Sequence, residues 1–239
     1  AAGYTVKLAN TYAARQYDGL KFSDDRHDAR WLAHLLRLGI LPTGYICPPA
    51  KRAIRDLVRR RARLVQARTA QLLAVHNLVA RDQGVMLTGA ALKRFCRDKI
   101  GAGVGDPKAL ALDSTLTVIT TFDEQIDRLE ASLRKLTKSQ LRRELTLLCS
   151  VPGIGEILSL TILTETGEIS RFADPGSYAS YARCVRTERL SNGRKKGEGN
   201  RRNGNPYLSW AFTEAAHFAI RFQPEAKRFY ERKKAKTNG

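Results

Sequence analysis

Two long stretches of helical periodicity, separated by a glycine-rich break, constrain the fold of this chain more than any other feature. The first runs from Ala50 to about Ala80 and the second from Asp106 to about Leu136. Apolar residues of the first recur at the spacing of one helix face. They are Ile54, Leu57, Val58, Leu64, Val65, Leu72, Val75 and Val79. Because Gly101–Gly105 lets the chain reverse, the pattern predicts a mainly α-helical chain whose two long helices pair as an antiparallel coiled coil.

The N-terminal part of the chain, before Ala50, is predicted to contain short elements instead of long helices. Alternating polarity predicts a short strand at Tyr4–Leu8, and a helical pattern follows over about Asp25–Leu38, with Ser23 or Asp24 as its N-cap. Gly44–Cys47 is predicted to be a short strand or an extended stretch. These elements predict a partial α/β block with too few strands for a sheet of its own.

A turn between two further helical patterns carries the segment Pro152–Gly155. The helices are predicted at about Ser139–Leu148 and Glu156–Glu165. Gly153 and Gly155 allow a tight turn, and backbone N–H groups at the start of the next helix can hold a phosphate. The pattern is typical of a helix-hairpin-helix that contacts the DNA backbone, and a plain helix–helix turn is the alternative.

The segment from Arg183 to Asn205 is predicted to be a basic, glycine-rich loop. Asp174 and Asn205, each followed by a proline, are typical N-caps of the helices on either side of it. Its basic residues are candidates for binding phosphate groups. They are Arg183, Arg186, Arg189, Arg194, Lys195, Lys196, Arg201 and Arg202.

Ser191 lies within this basic segment. Neighbouring cations lower the cost of forming an alkoxide and stabilise a pentacovalent phosphorus transition state. Ser191 is therefore a candidate for attack on a phosphodiester, although a loop serine taken alone is more often only a hydrogen-bonding residue.

The charge balance points to a polyanionic partner. Lys and Arg number 42 against 23 Asp and Glu, which gives a formal charge of +19. On the first long helix, Arg52, Arg55 and Arg59 belong to an arginine-rich run suited to the nucleic-acid backbone, with an ordinary solvated face as the alternative. No apolar run approaches the roughly 20 residues of a membrane-spanning helix. The four cysteines form no C-x-x-C pair, so a reducing cytosol is the expected compartment.

Asp25 and Asp28 are three residues apart and therefore share one helix face. Two carboxylates on one face can contribute to a Mg²⁺ site. The alternative is that they only complement the positive end of the helix dipole.

Aromatic residues are frequent in the last third of the chain. They are expected to form the core of a C-terminal domain, although one of them could stack on a nucleobase. They are Tyr178, Tyr181, Tyr207, Trp210, Phe212 and Phe218.

Three segments together resemble one family. They are Lys21–Ala29, Leu148–Gly155 and the stretch from Phe172 to Leu208. The family comprises insertion-sequence transposases with an Asp-Glu-Asp-Asp catalytic set, which are bridge-RNA-guided serine recombinases. Where its members usually have Ser-Gly, this chain has Ser191, Asn192 and a glycine.

The resemblance implies three domains. Residues 1–48 would be the tail of a resolvase-like domain of RNase H fold, and residues 49–146 a helical coiled-coil linker for dimer contacts. Residues 147–239 would be the C-terminal transposase domain with the helix-hairpin-helix. Ser191 would be the nucleophile that joins covalently to DNA, and Asp25 and Asp28 would be half of an acidic site that binds Mg²⁺.

The resemblance also implies the partners. They are donor DNA, target DNA, a structured noncoding RNA that pairs with both, and further copies of the chain in a dimer or tetramer, in the prokaryotic cytoplasm at the nucleoid. The chain begins without Met and shows no counterpart of the family's upstream Asp and Glu, so it is expected to be an N-terminally truncated piece. A non-catalytic nucleic-acid-binding fragment is the alternative function, and a structure-specific nuclease ranks last.

Overall fold

A computed structural model describes most of the chain. The described residues are 3, 5–14, 24–84, 86–87, 89–98, 107–185, 188–192, 194–198 and 203–237. The fold is mainly α-helical, as predicted. In chain order the described helices are α1 (Thr11–Ala14), α2 (Asp25–Arg37), α3 (Pro49–Gln83), α4 (Gly89–Asp98), α5 (Pro107–Gln140), α6 (Arg142–Cys149), α7 (Glu156–Thr166), α8 (Pro175–Tyr181), α9 (Pro206–Phe222) and α10 (Pro224–Thr237).

The chain divides into two compact units. One comprises Ala1–Lys51 together with Glu165–Gly239, and the other comprises Arg52–Thr164. The predicted boundaries at residues 48 and 146 follow composition and the family resemblance, and they stay a prediction.

The second unit is built on the antiparallel pairing of α3 with α5. Near one end of the pair, Val75 and Val79 of α3 form a buried cluster with Leu116 and Ile119 of α5, and Leu92 of α4 joins them. Burial of such aliphatic side chains contributes roughly 1.5–3 kcal/mol each. The pairing therefore forms within one chain, which the sequence pattern left open.

A second buried cluster lies near the other end of the same pair. Ile54 and Val58 of α3 pack with Leu133 of α5 and Leu160 of α7. Because low-numbered residues of α3 meet high-numbered residues of α5, the two clusters define the antiparallel register.

The front of the chain forms less regular structure than predicted. The strand prediction for Tyr4–Leu8 is wrong over residues 5–8, and Tyr4 lies outside the described residues. Instead, Ala9 makes an isolated antiparallel bridge with Thr43, and the Gly44 N–H donates to the carbonyl of Leu8. Residues Gly44–Cys47 belong to no helix or strand, so the strand alternative predicted for them is wrong.

Helix caps fall where the sequence places them. The Asp24 carboxylate accepts a hydrogen bond from the His27 N–H, at 2.6 Å, at the start of α2. Asp174 and Asn205 cap α8 and α9 in the same way. The helix predicted over Ser139–Leu148 begins later, because α5 continues to Gln140 before the chain turns.

The prediction of a loop from Arg183 to Asn205 is wrong over its middle. Residues Glu188–Ser191 form β1 and Arg194–Glu198 form β2, which pair as an antiparallel hairpin. Asn192 has a φ of 55°, the left-handed conformation that two-residue hairpin turns require. Asn followed by Gly is the strongest short-range signal for such a turn, so the sequence did contain the information.

Candidate functional site

Hydrogen bonds join the two chain segments that flank the β1–β2 hairpin, and we call these joined segments the base of the hairpin. Before the hairpin, the Arg183 side chain donates from Nε to the Asn203 carbonyl at 2.6 Å, and from Nη2 to the Gly204 carbonyl at 3.4 Å. After it, the Asn205 N–H donates to the Tyr181 carbonyl at 2.6 Å. These hydrogen bonds therefore join the end of α8 to the start of α9, and the hairpin lies between the two helices in the chain.

Gly204 makes this closure sterically possible. Its φ is 79°, and a Cβ at this position would lie 2.5 Å from the Tyr181 carbonyl oxygen. That distance is inside van der Waals contact with backbone, which cannot move aside as a side chain can. The base of the hairpin therefore depends on a residue without a Cβ.

Asn205 connects the base of the hairpin to a buried residue of α7. Its Oδ1 accepts hydrogen bonds from the N–H groups of Tyr207 and Leu208, at 2.9 and 3.3 Å. Its Nδ2 donates to Glu165 Oε2 at 2.7 Å, and both residues are buried. A buried carboxylate needs such donors, because leaving one unmatched costs several kcal/mol. Asn205 thus fixes the first turn of α9 against the end of α7.

An aromatic layer encloses Arg171 beside this base. Its guanidinium carbon lies 4.3 Å from the ring centre of Tyr45, 4.2 Å from that of Phe172 and 4.4 Å from that of Tyr181. Its Nε donates to the Thr166 carbonyl at 3.0 Å. Several cation–π contacts at once hold the arginine in this aromatic layer, so it supports the fold.

Two nucleophilic side chains near the hairpin base stay protonated at neutral pH. Burial raises the pKa of the Tyr178 phenol, whose oxygen lies 2.8 Å from the Thr166 hydroxyl. Burial also raises the pKa of the Cys184 thiol. Neither group is prepared for nucleophilic attack, since the anion is the attacking species.

Ser191 is the last residue of β1 and is paired across the hairpin with Arg194, which is exposed. Arg189 lies on β1, and Lys195 and Lys196 lie on β2. Arg186, Arg201 and Arg202 lie outside the described residues. The hairpin therefore brings Ser191 and Arg194 together, while Arg183 is held by carbonyl groups at the base.

The turn between α6 and α7 has the shape that the glycines predicted. Gly153 has a φ of 90°, and a Cβ added at Gly155 would meet nothing within 4 Å. The first residue of α7, Glu156, already pairs with Arg134 of α5 at 3.2 Å. The two helices are confirmed, and the helix-hairpin-helix assignment and phosphate binding there stay predictions.

Some of the α3 arginines have partners that the local sequence does not reveal. Arg61 pairs with Glu130 of α5 at 2.8 Å, and Arg68 pairs with Asp123. The acids that pair with Arg61 and Arg68 are thus supplied by α5. Of the predicted binding residues Arg52, Arg55 and Arg59, the first is exposed and the other two are half-buried.

Asp25 and Asp28 are both exposed on the first turn of α2. Two carboxylates there fit part of a Mg²⁺ shell, because Mg²⁺ keeps several waters and is often bound by one or two protein carboxylates. Within the described part of the chain, no group of three or more His, Cys, Asp or Glu side chains is placed to hold a metal ion. The two aspartates and Ser191 lie on separate elements, α2 and β1.

Across the described ranges, no helix combines the length and the apolar character needed to cross a bilayer.

Comparison with known proteins adds to this geometry. Residues 145–231 match the family model described as "Transposase IS116/IS110/IS902 family". The chain is 24% identical, over 92% of its length, to a protein of Pseudomonas aeruginosa named "Probable family 20 transposase". It is 29% identical, over 57% of its length, to the "Insertion element IS110 uncharacterized 43.6 kDa protein" of Streptomyces coelicolor.

The chain spans only part of these relatives. The aligned regions cover 65% of the first and 32% of the second. The span that matches the family model contains α7, α8, the hairpin and α9, and therefore includes Ser191.

Proposed function

We propose, from the match of residues 145–231 to this transposase family, that the chain is part of a DNA transposase in which Ser191 is the nucleophile. The observation that carries the proposal is the position of Ser191 at the turn end of a hairpin whose base is closed by Arg183 and Asn205. A nucleophile that attacks a phosphodiester has to project from a supported backbone, and this hairpin supplies one.

The proposed reaction is a transesterification. Ser191 Oγ attacks a DNA phosphorus atom, a serine–phosphate ester bond forms, and the bond to the departing sugar oxygen breaks. The hydroxyl proton leaves to solvent or a base, and the departing oxygen takes up a proton. Because one ester replaces another, attack by a new DNA end can reverse the step and rejoin the strands without an external energy source.

The basic residues of the segment stabilise the charge that develops on the phosphoryl oxygens. The hairpin register pairs Arg194 with Ser191, which supports this role for Arg194. The other members of the set are Arg186, Arg189, Lys195, Lys196, Arg201 and Arg202. The predicted role of Arg183 is instead taken to be structural, because its guanidinium is held by the Asn203 and Gly204 carbonyls. Gly153 and Gly155 contact the phosphate backbone further along the DNA.

Asp25 and Asp28 supply two carboxylate ligands for Mg²⁺ in this proposal. Asp25 and Asp28 would hold the ion, which would supply positive charge to neutralise a phosphate group.

Guidance by a structured noncoding RNA extends the same proposal. The RNA pairs with donor and target DNA, and Arg52, Arg55 and Arg59 of α3 bind a nucleic-acid backbone. A net charge of +19 supports several phosphate contacts at once. Copies of the chain assemble as a dimer or tetramer so that two DNA ends are held together.

Covalent trapping tests the nucleophile. The protein is mixed with the element's RNA, labelled donor and target DNA and Mg²⁺, and is then denatured and analysed for a protein–DNA adduct. We expect an adduct with the natural chain and with Ser180→Ala, a serine variant just before the hairpin, and none with Ser191→Ala. If the Ser191→Ala variant still forms an adduct, the nucleophile is a residue other than Ser191.

The same reaction is run with the chain extended by the additional residues that its longer relatives possess. An adduct formed only by the extended chain means that residues 1–239 bind nucleic acid but need the added segment for chemistry.

Nucleic-acid binding without cleavage is a second candidate function. The exposed Arg52 and the basic α3 favour it, since neither requires a metal site. A pure binding fragment holds RNA or DNA equally well in EDTA and forms no adduct under any of these conditions.

A further inference from the structure

Four aromatic rings near the C-terminus are exposed, and the prediction that one of them, Phe218, lies in a core is wrong. The exposed fraction is 45% for Phe218, 66% for Phe222, 53% for Phe229 and 43% for Tyr230. Phe218 and Phe222 belong to the end of α9, and Phe229 and Tyr230 to the following α10. Exposed apolar surface of this extent, gathered on two consecutive helices, is typical of a surface that another molecule covers.

The rings of α9 are arranged for stacking. Phe218 and Phe222 lie one helical turn apart, with ring centres 6.4 Å apart and an angle of only 8° between the ring planes. The two rings are therefore nearly parallel, and each keeps a large exposed fraction that a planar ligand could contact.

Cationic groups lie beside the same rings. Arg221 is 5.5 Å from the ring centre of Phe222, and both Arg232 and Lys233 are 5.6 Å from that of Phe229. At least one cation thus lies over a face of each of these two rings. A base that contacts the exposed part of either ring therefore has positive charge close by for its phosphate group.

The net charge of α10 is also positive. It has six basic residues against two acidic ones, Glu225 and Glu231. The basic residues are Lys227, Arg228, Arg232, Lys233, Lys234 and Lys236. Another copy of the same basic face would be repelled, which makes a self-association surface electrostatically unfavourable.

We propose that this aromatic-basic surface, formed by Phe218, Phe222, Phe229 and Tyr230 with Arg221, Arg232 and Lys233, binds single-stranded nucleic acid by stacking unpaired bases. Flat apolar faces and phosphate-binding cations alternating along one surface are what a single strand requires. A duplex keeps its bases paired and covered, so it can use the cations but not the rings. The inference concerns binding alone and holds whether or not Ser191 is a nucleophile.

The test separates ring stacking from charge attraction. Labelled single-stranded RNA, single-stranded DNA and duplex DNA, each of about twenty nucleotides and free of stable structure, are titrated with the full chain, and binding is followed by fluorescence anisotropy. The double variant Phe222→Leu with Phe229→Leu keeps apolar side chains and charge but removes two ring faces. The matched control, Phe222→Tyr with Phe229→Tyr, keeps the rings.

We expect the leucine variant to bind single strands about tenfold or more weakly and the duplex within about twofold of the natural chain. The tyrosine variant is expected to bind all three ligands as the natural chain does. A preference for RNA or for DNA identifies which single strand the surface serves, and either preference supports the proposal.

Three results overturn it. The leucine variant binds single strands as well as the natural chain, or it loses single-strand and duplex binding equally, or a dimer of the natural chain dissociates in the leucine variant without a change in nucleic-acid binding. Circular dichroism shows whether the leucine variant is folded. If it is not, Arg232→Gln with Lys233→Gln replaces it, and the proposal then requires weaker single-strand binding with a reduced dependence on salt.

Discussion

The side-chain amide of Asn205 donates a hydrogen bond to the buried carboxylate of Glu165, with 2.7 Å between Nδ2 and Oε2. The other end of the same amide caps α9. One side chain therefore ties together the end of α7, the start of α9 and the point where the chain returns from the hairpin. The geometry of the proposed nucleophile depends on this contact, although Asn205 itself touches no substrate.

Replacing Asn205 tests this connection. We expect Asn205→Ala to lower the free energy of unfolding by about 2 kcal/mol or more, because a cap is lost and a buried carboxylate loses a donor. Asn205→Asp keeps the cap acceptor but sets a second carboxylate against Glu165, so its loss of stability should ease as the solution is acidified. Urea unfolding at neutral and acidic pH measures both effects. An Asn205→Asp protein as stable as the natural chain at neutral pH would contradict the contact.

Gly204→Ala should destabilise the protein by about 1–3 kcal/mol, because its positive φ and the nearby Tyr181 carbonyl leave no room for a Cβ. The matched control is Gly89→Ala at the start of α4, where a Cβ meets nothing within 4 Å and φ is not positive. Thermal unfolding compares the two. Equal melting temperatures for the two variants would show that the base of the hairpin tolerates a side chain.

Asp174 should make stability depend on pH. Hydrogen bonds from the hydroxyl and the N–H of Ser177 hold the pKa of this carboxyl below its usual range. The stabilisation is therefore fully present above the ordinary pKa of an aspartate and is lost as the pH falls through the lowered value. In the Asp174→Asn variant the side chain can still cap α8, but it does not ionise. The difference in melting temperature between this variant and the natural chain should therefore shrink on acidification. A difference that stays constant from neutral to acidic pH would rule out this role.

The stability of the α3–α5 helix pair should depend on the side chain of Leu133. This side chain is buried between α3 and α7, and Leu133→Ala should cost about 2–5 kcal/mol. Leu73, which is exposed on α3, offers the control: Leu73→Ala should change stability by no more than about 0.5 kcal/mol. Urea denaturation of both variants measures the difference, and similar losses in the two would contradict the packing of α3 on α5.

Arg52→Ala should weaken nucleic-acid binding uniformly across sequences. If its guanidinium neutralises one phosphate, the slope of log affinity against log salt should fall by about one. Arg52→Lys keeps the charge and should keep the slope. Anisotropy titrations over a range of salt concentrations measure it, and an unchanged slope in Arg52→Ala would remove this residue from the interface.

The sequence predicted best what is decided locally. Asp174 and Asn205 were identified as caps because a cap involves only a side chain and the next three residues. The long helices were identified because their apolar stripes repeat over many turns. The catalytic and metal roles of Ser191, Asp25 and Asp28 stay predictions, since they come from a resemblance and not from a contact.

The remaining differences have separate causes. The hairpin was missed, although its Asn-Gly turn signal is local, because its charged residues were interpreted as a solvated loop and Leu190 is the lone aliphatic residue of its strands. The strand at residues 5–8 was predicted from alternation alone, but Val6 and Leu8 are exposed because no described sheet covers them. The partner of Arg61 lies 69 residues away on α5, which no local pattern specifies.

The antiparallel pairing of α3 and α5 also restricts how this protein can change in length. One residue deleted from α3 rotates everything beyond it by about 100° and moves Arg61 and Arg68 away from Glu130 and Asp123. A tolerated change has to remove or add nearly whole turns, and it has to do so in both helices together. We therefore expect related chains to differ here by matched insertions in both helices. The length of the helix pair, about 50 Å, then changes only in steps of about one helical turn.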